Sequence, residues 1–382
     1  MSPSLWVILT LGVLVAYVNG SNDVSKGIAT LAGSGVTDYR RAILWGTVWT
    51  GLGGFAGALL AGAMVETFGK GLLASGIVPT FAAAIATILG AAAWVAFATS
   101  AGLPVSTTHA IVGSIVGVGA IAYGFSGVNW AVVGGKIALP LLLSPIVALI
   151  VTTVVLRVWK CFAAPSGNSG ECFCAEVEPS AVSIAAAPDG IVASFLTNLP
   201  SFRLTIDSQR ACAVERPAAF RVTINDLHWL TSGTTSFARG MNDAPKMVAI
   251  VLATTVLPTS NTGFRTVAFV AVTLGMIAGS WVAGRRVTTV LAEEVTPMDH
   301  RGGFVANLVT AALVGPGAAL GLPMSTTHVS SGAIVAVGSQ NAAELKWKTV
   351  REMLLAWVVT LPAAAFLGIL FYALLHWQFA FC

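Results

Sequence analysis

Long apolar runs separated by short polar breaks organise the 382-residue chain. Residues 137–156, 267–283 and 353–375 are such runs, each close to the roughly 20 residues that a helix needs to cross a bilayer. Several of them predict a bundle of spanning helices, an all-α polytopic membrane protein. The first run, residues 5–18, has no basic region ahead of it and continues past Gly20 to Ala32, so it reads as a retained span and not a cleaved signal peptide. Hydropathy falls over about residues 159–225, where Pro, Ser, Arg and Glu gather. The chain therefore divides into a first membrane unit (1–157), a connector (158–225) and a second membrane unit (226–382). Within the connector, residues 202–206 and 220–224 alternate apolar and polar positions, a pattern that predicts two strands paired as a small hairpin.

Composition sharpens this picture. Hydrophobic residues make up 56% of the chain and charged residues 9%, against roughly 25% charged in a soluble domain. The 40 glycines and 16 prolines fall inside apolar stretches as well as between them, which predicts kinked, broken and closely packed helices. The net charge of +4 is small, and the basic residues flank spans, so they report orientation and imply no nucleic-acid partner. Arg40, Arg41, Arg157, Lys160, Arg285, Arg286, Lys346, Lys348 and Arg351 would share the cytoplasmic side, with Lys70, Lys136 and Arg265 opposite. That assignment makes the connector cytoplasmic and both termini extracytoplasmic. Cys161, Cys172, Cys174 and Cys212 share the polar stretch, but their spacing matches no standard zinc pattern.

Two motifs occur twice. Asn19-Gly20-Ser21-Asn22-Asp23-Val24-Ser25-Lys26 is echoed by Arg239-Gly240-Met241-Asn242-Asp243-Ala244-Pro245-Lys246, and the segment from Gly102 through Ser106-Thr107-Thr108-His109 by that from Gly321 through Ser325-Thr326-Thr327-His328. The offsets are 220 and 219 residues, so both motifs belong to one repeat unit used twice. With the connector cytoplasmic, the first unit starts outside and the second inside. Two inverted-topology repeats follow, the architecture of many secondary transporters.

Both Asn-Asp pairs fall near the middle of their spans. A carboxylate there costs at least ~2.5–3.5 kcal/mol, so Asp23 and Asp243 need a partner or a task. A local salt bridge to Lys26 or Lys246, three residues along, is one answer. Coordination of a coupling cation is another: Gly20, Gly240 and Pro245 loosen the helix, and freed carbonyls with the carboxylate and Asn oxygens of Asn22, Asp23, Asn242 and Asp243 make a hard-oxygen cage suited to sodium. Alternatively one Asp carries a proton. In the second motif Gly-Leu-Pro stops one helix, and Ser106-Thr107-Thr108 or Ser325-Thr326-Thr327 opens the next. Such helix starts offer N–H groups and positive dipole charge to an anion. The segments 80–123 and 301–340 can be re-entrant hairpins whose tips converge, or pairs of full spans. His109 and His328 fit either a bond to a nearby carbonyl or a role in gating or proton coupling.

At these residues the chain resembles the inorganic phosphate transporter (PiT) family of cation-coupled permeases, over about residues 5–157 and 226–378. The resemblance implies an inverted-repeat fold in the cell membrane, often a homodimer, with inorganic phosphate near the centre and sodium or protons as driving ions. No other cofactor is implied. By position, Asn22, Asp23, Asn242 and Asp243 would lie at the substrate and ion sites, and Ser106, Thr107, Thr108, Ser325, Thr326 and Thr327 around the phosphate. The chain departs from the family's usual first motif at Lys26, where an amide is common. Sulfate, a similar oxyanion, is the alternative substrate; phosphate differs in having a proton to donate, which a nearby carboxylate can accept. A membrane enzyme would need one asymmetric constellation and a channel would need rings or filter loops, and the duplicated motifs supply neither.

Overall fold

The computed structural model describes residues 3–60, 62–163, 172–178, 186–187, 190–191, 201–207, 218–253, 262–341 and 344–380. They form two compact units, Met1–Leu156 with His228–Cys382 and Arg157–Leu227. Helices α1 (Pro3–Asp23), α2 (Ser25–Gly33), α3 (Tyr39–Leu60), α4 (Gly62–Glu66), α5 (Phe81–Ser100), α6 (Thr107–Tyr123), α7 (Trp130–Val132) and α8 (Leu139–Ala163) precede the connector strands. After them come α9 (Ile224–Ala253), α10 (Thr262–Ala283), α11 (Arg285–Glu293), α12 (His300–Ala319), α13 (Thr326–Gly338) and α14 (Trp347–Ala380). Among the described residues, seven helical stretches are long and apolar enough to cross a membrane.

The helices turn their apolar sides outward. On α8, Leu142, Ile146, Ile150 and Val154 recur every fourth residue and are all more than half exposed, while Ser144, Ala148 and Thr152 on another face are buried. Small and polar groups inside with large aliphatic groups outside is how a helix packs when lipid surrounds it. Glycine sets how closely the helices meet. A Cβ on Gly20 of α1 would stand 2.2 Å from the Met276 carbonyl of α10, and one on Gly279 of α10 would stand 1.9 Å from that of Tyr17. The same reciprocity joins α3 and α9, where Cβ atoms on Gly53 and Gly240 would fall 2.0 Å from Phe237 O and 2.2 Å from Thr50 O. The glycine content therefore builds backbone-to-backbone crossings between the two membrane segments of the chain.

The first motif sits at a one-residue interruption, where Val24 keeps helical backbone angles. α1 ends at Asp23 and α2 begins at Ser25, with Val24 N bonded to Gly20 O at 3.2 Å and Gly27 N to Val24 O at 3.2 Å. Its counterpart does not break: α9 runs through Gly240 and Pro245 as one helix of 30 residues. Helices α6 and α13 are short, 17 and 13 residues, or about 25 and about 20 Å at the usual helical rise. Both are shorter than the ~30 Å hydrocarbon layer.

The connector differs from the hairpin expected of it. Strand β1 (Cys172–Glu178) lies between β4 (Ser201–Asp207) and β5 (Ala218–Thr223), giving a three-stranded sheet of order β4-β1-β5, while β2 (Ala186–Ala187) pairs β3 (Gly190–Ile191). The two predicted strands exist but do not pair with each other. Each is antiparallel to β1, with Phe173 opposite Ile206 on one side and Val222 on the other. The second ends at Thr223, because Thr223 and Asp226 cap α9: Asp226 N donates to Thr223 Oγ1 at 3.2 Å and the Thr223 hydroxyl donates to Asp226 Oδ2 at 2.7 Å. That exchange opens a helix where alternation alone continued a strand. Cys161 is a free thiol, and Cys212 lies outside the described residues.

Candidate functional site

The Gly-Leu-Pro-x-Ser-Thr-Thr segments build the same local structure twice. α5 ends with Gly102 at φ +76° and α12 with Gly321 at φ +73°, left-handed positions open to a residue without Cβ. Leu103 N bonds to Ala98 O at 2.8 Å and Gly102 N to Thr99 O at 3.0 Å; Leu322 N and Gly321 N repeat this with Gly317 O and Ala318 O at 2.9 and 3.1 Å. These paired bonds are a Schellman stop. Four residues later Ser106 and Ser325 cap α6 and α13, their hydroxyls accepting from His109 N at 3.3 Å and His328 N at 3.2 Å.

The two helix starts meet. The Ser325 hydroxyl donates to Ser106 Oγ at 3.0 Å, and the Thr327 hydroxyl donates to Val105 O at 2.8 Å. Thr107 donates to Asp23 Oδ2 at 3.2 Å, and Thr108 accepts from Lys246 Nζ at 2.8 Å. Thr326 is buried at the same junction. Six hydroxyls and two positive dipole ends thus share one buried region, with both Asn-Asp pairs beside it.

Each Asn ties its helix to one of these turns. Asn22 Nδ2 donates to Thr99 Oγ1 at 2.9 Å and Leu103 O at 3.0 Å, and its Oδ1 accepts from Val105 N at 3.3 Å. Asn242 Nδ2 donates to Met324 O at 2.9 Å and to Asp243 Oδ1 at 2.8 Å. The i,i+3 ion pairs are present, Lys26 Nζ to Asp23 Oδ1 at 2.8 Å and Lys246 Nζ to Asp243 Oδ1 at 3.3 Å. They are part of a wider network and do not stand alone. Asn19, which sequence reasoning left out, joins the two acids: its Nδ2 donates to Asp23 Oδ2 at 2.8 Å and to Asp243 Oδ2 at 3.3 Å. The available signal was its position in the repeat, where it aligns with Arg239.

Arg239 is fully buried and bonds to hydroxyls, donating to Thr50 Oγ1 at 2.6 Å and Ser280 Oγ at 3.3 Å. Its Nε and Nη1 have no hydrogen-bond partner. The His109 and His328 rings pack at a tilt of 53° with centroids 4.5 Å apart, and His328 Nδ1 lies 3.2 Å from Leu141 O. Among the described residues, the buried Lys and Arg side chains are Lys26, Lys246 and Arg239, and the buried carboxylates are Asp23 and Asp243. In their ordinary ionised forms these leave one positive charge uncompensated. An unpaired buried charge costs several kcal/mol, so a monovalent anion at this centre would be held by the whole cluster.

An apolar-sided helical bundle with five charged side chains at its centre has the build of a membrane transport protein. The comparison with known proteins makes the class specific. This chain belongs to the phosphate transporter family, which matches residues 19–368. It is 27% identical to the chloroplastic inorganic phosphate transporter 2-1 of Arabidopsis thaliana, over 95% of this chain and 70% of that one. It is also 27% identical to the probable low-affinity inorganic phosphate transporter of Bacillus subtilis, over 98% of this chain and 99% of that one. A solved structure described as the sodium-dependent phosphate transporter matches 98% of this chain and 99% of its own with a TM-score of 0.78. At 23% sequence identity that likeness speaks to the fold. The chain is a multi-pass membrane protein of phosphate transport and not an enzyme.

Proposed function

We propose that this chain carries inorganic phosphate across the cell membrane by alternating access, in symport with a cation, sodium and the proton being the two candidates. The observation that carries the reading is the Ser106–Ser325 contact of 3.0 Å. It gathers two helix N-termini and their hydroxyls at a buried centre that has one positive charge in excess. In this reading Ser106, Thr107, Thr108, Ser325, Thr326 and Thr327 donate to phosphate oxygens, and Asn22, Asp23, Asn242 and Asp243 hold the two turns in place. The short helices α6 and α13 then form the inner arms of re-entrant hairpins, with the two repeats inverted, both termini extracytoplasmic and the connector cytoplasmic. A homodimer is part of the same proposal.

Phosphate fits better than sulfate because a proton donor has acceptors waiting. Asn19 Oδ1 and Asn242 Oδ1 are buried with no donor, and an unsatisfied buried acceptor costs about 1–3 kcal/mol. Protonated phosphate can supply that donor and sulfate cannot. The test is uptake of labelled phosphate into proteoliposomes under an imposed sodium or proton gradient, with excess sulfate as competitor. Uptake that sulfate leaves intact, and that Asp23→Asn or Asp243→Asn removes, is expected. Sulfate uptake without phosphate uptake would overturn the substrate.

A further inference from the structure

The oxygens that suit a coupling cation at the first motif are a freed backbone carbonyl, the Asn22 amide oxygen and the Asp23 carboxylate. The Lys26 ammonium lies among them. Its Nζ donates to Asn22 O at 2.8 Å and to Asn22 Oδ1 at 2.6 Å, and stands 2.8 Å from Asp23 Oδ1. Two N–H groups donate to the Asn22 oxygens, and the Asp23 carboxylate pairs with the ammonium through charge. At the second motif the Lys246 ammonium does the same with a different set: Thr108 Oγ1 at 2.8 Å, Met324 O at 3.1 Å and Asp243 Oδ1 at 3.3 Å. Both lysines are buried to 1% exposure or less.

The remaining carboxylate oxygens are also engaged. Asp23 Oδ2 accepts from Asn19 and Thr107, and Asp243 Oδ2 accepts from Asn19. A metal cation bound to either Asp would sit beside an ammonium of the same sign. It would add positive charge to a centre that already has an excess.

Resting on phosphate transport as proposed above, we propose that Lys26 and Lys246 are covalently tethered occupants of the two cation positions, so that this chain binds no sodium at Asp23 or Asp243 and needs none for transport. The lysines determine which ion can couple: they supply the monovalent positive charge and the oxygen-directed donors that a free cation would otherwise bring. The proton is then the remaining driving ion.

Two measurements on the full-length protein test this separately from the phosphate reading. In the first, the Tm of purified protein is read in sodium chloride and in choline chloride at equal ionic strength, with and without phosphate. Equal Tm values are expected, and a sodium-specific rise above about 3 °C, the sign of a bound ligand, would overturn the proposal. In the second, phosphate uptake under a fixed proton gradient is compared in sodium and choline media. Rates within about twofold are expected, whereas stimulation by sodium of more than about fivefold, a real coupling between sites, would overturn it. The Lys26→Gln/Lys246→Gln protein should gain a sodium-specific Tm rise. If it does not fold, the wild-type measurements still decide. Failure of all phosphate uptake would remove the transport reading and leave the Tm result as the test of sodium binding.

Discussion

The two copies of the Asn-Asp motif use the same residue types to different ends. In the first, Lys26 of α2 closes back onto Asn22 and Asp23 at the end of α1, within one turn. In the second, Lys246 spans the molecule to Thr108, 138 residues away in sequence, and to the turn before α13. The leading positions differ as well: Asn19 is a neutral bridge between both carboxylates, and Arg239 is a buried cation bonded only to hydroxyls. A duplicated motif therefore does not make a duplicated site. The lysine of one copy stays within its own motif, and the lysine of the other reaches a helix start in the opposite membrane segment.

The harshest way to break this comparison is to remove an acid. Asp23→Asn or Asp243→Asn leaves a buried ammonium unpaired and should cost about 3–5 kcal/mol of stability, read by thermal unfolding in detergent, with phosphate uptake lost. Adding Lys26→Gln to Asp23→Asn should restore most of that stability, because the pair is local. Adding Lys246→Gln to Asp243→Asn should restore less, because the tie to Thr108 is lost too. Next in size, Arg239→Asn makes the two copies alike at their leading position and removes the excess charge; phosphate binding by calorimetry should weaken about tenfold with no fall in Tm.

Smaller effects separate the two helix starts. Ser106→Ala and Ser325→Ala each delete a cap worth about 1 kcal/mol, and the double variant should cost less than the sum because the pair shares one hydrogen bond. The gentlest change is Thr108→Val, which takes one neutral partner from Lys246 for about 0.5–1.5 kcal/mol. It should slow uptake while leaving the first copy's network intact. Equal effects of Thr108→Val and of a matching change at Lys26's own contacts would show that the copies work alike after all.

Periodicity and end signals made much of this legible. The apolar runs gave the helices, and Gly102 and Gly321 with the following Ser-Thr-Thr gave two stops and two starts at the right residues, because caps depend on neighbours within six positions. The hidden parts depend on distant partners. Asn19 was passed over because its two acids are 4 and 224 residues away, and nothing local marks it. The connector strands were found and mispaired, since alternation shows that a strand exists but does not say that β1 lies between β4 and β5. Likewise spacing lists the oxygens around Asp23 without showing that the Lys26 ammonium lies among them.

The glycine crossings have a mechanical consequence. α1 is seated on α10, and α3 on α9, with backbone against backbone and no side chain between to act as a cushion. Contacts of that kind slide poorly and transmit force stiffly. Each riveted pair takes one helix from before the connector and one from after it, so the stretches joined by covalent sequence are not the ones that can swing as units. The stiffest units of this fold therefore each hold one helix from either side of the connector, and the softer seams are those where side chains, not glycines, lie between neighbours.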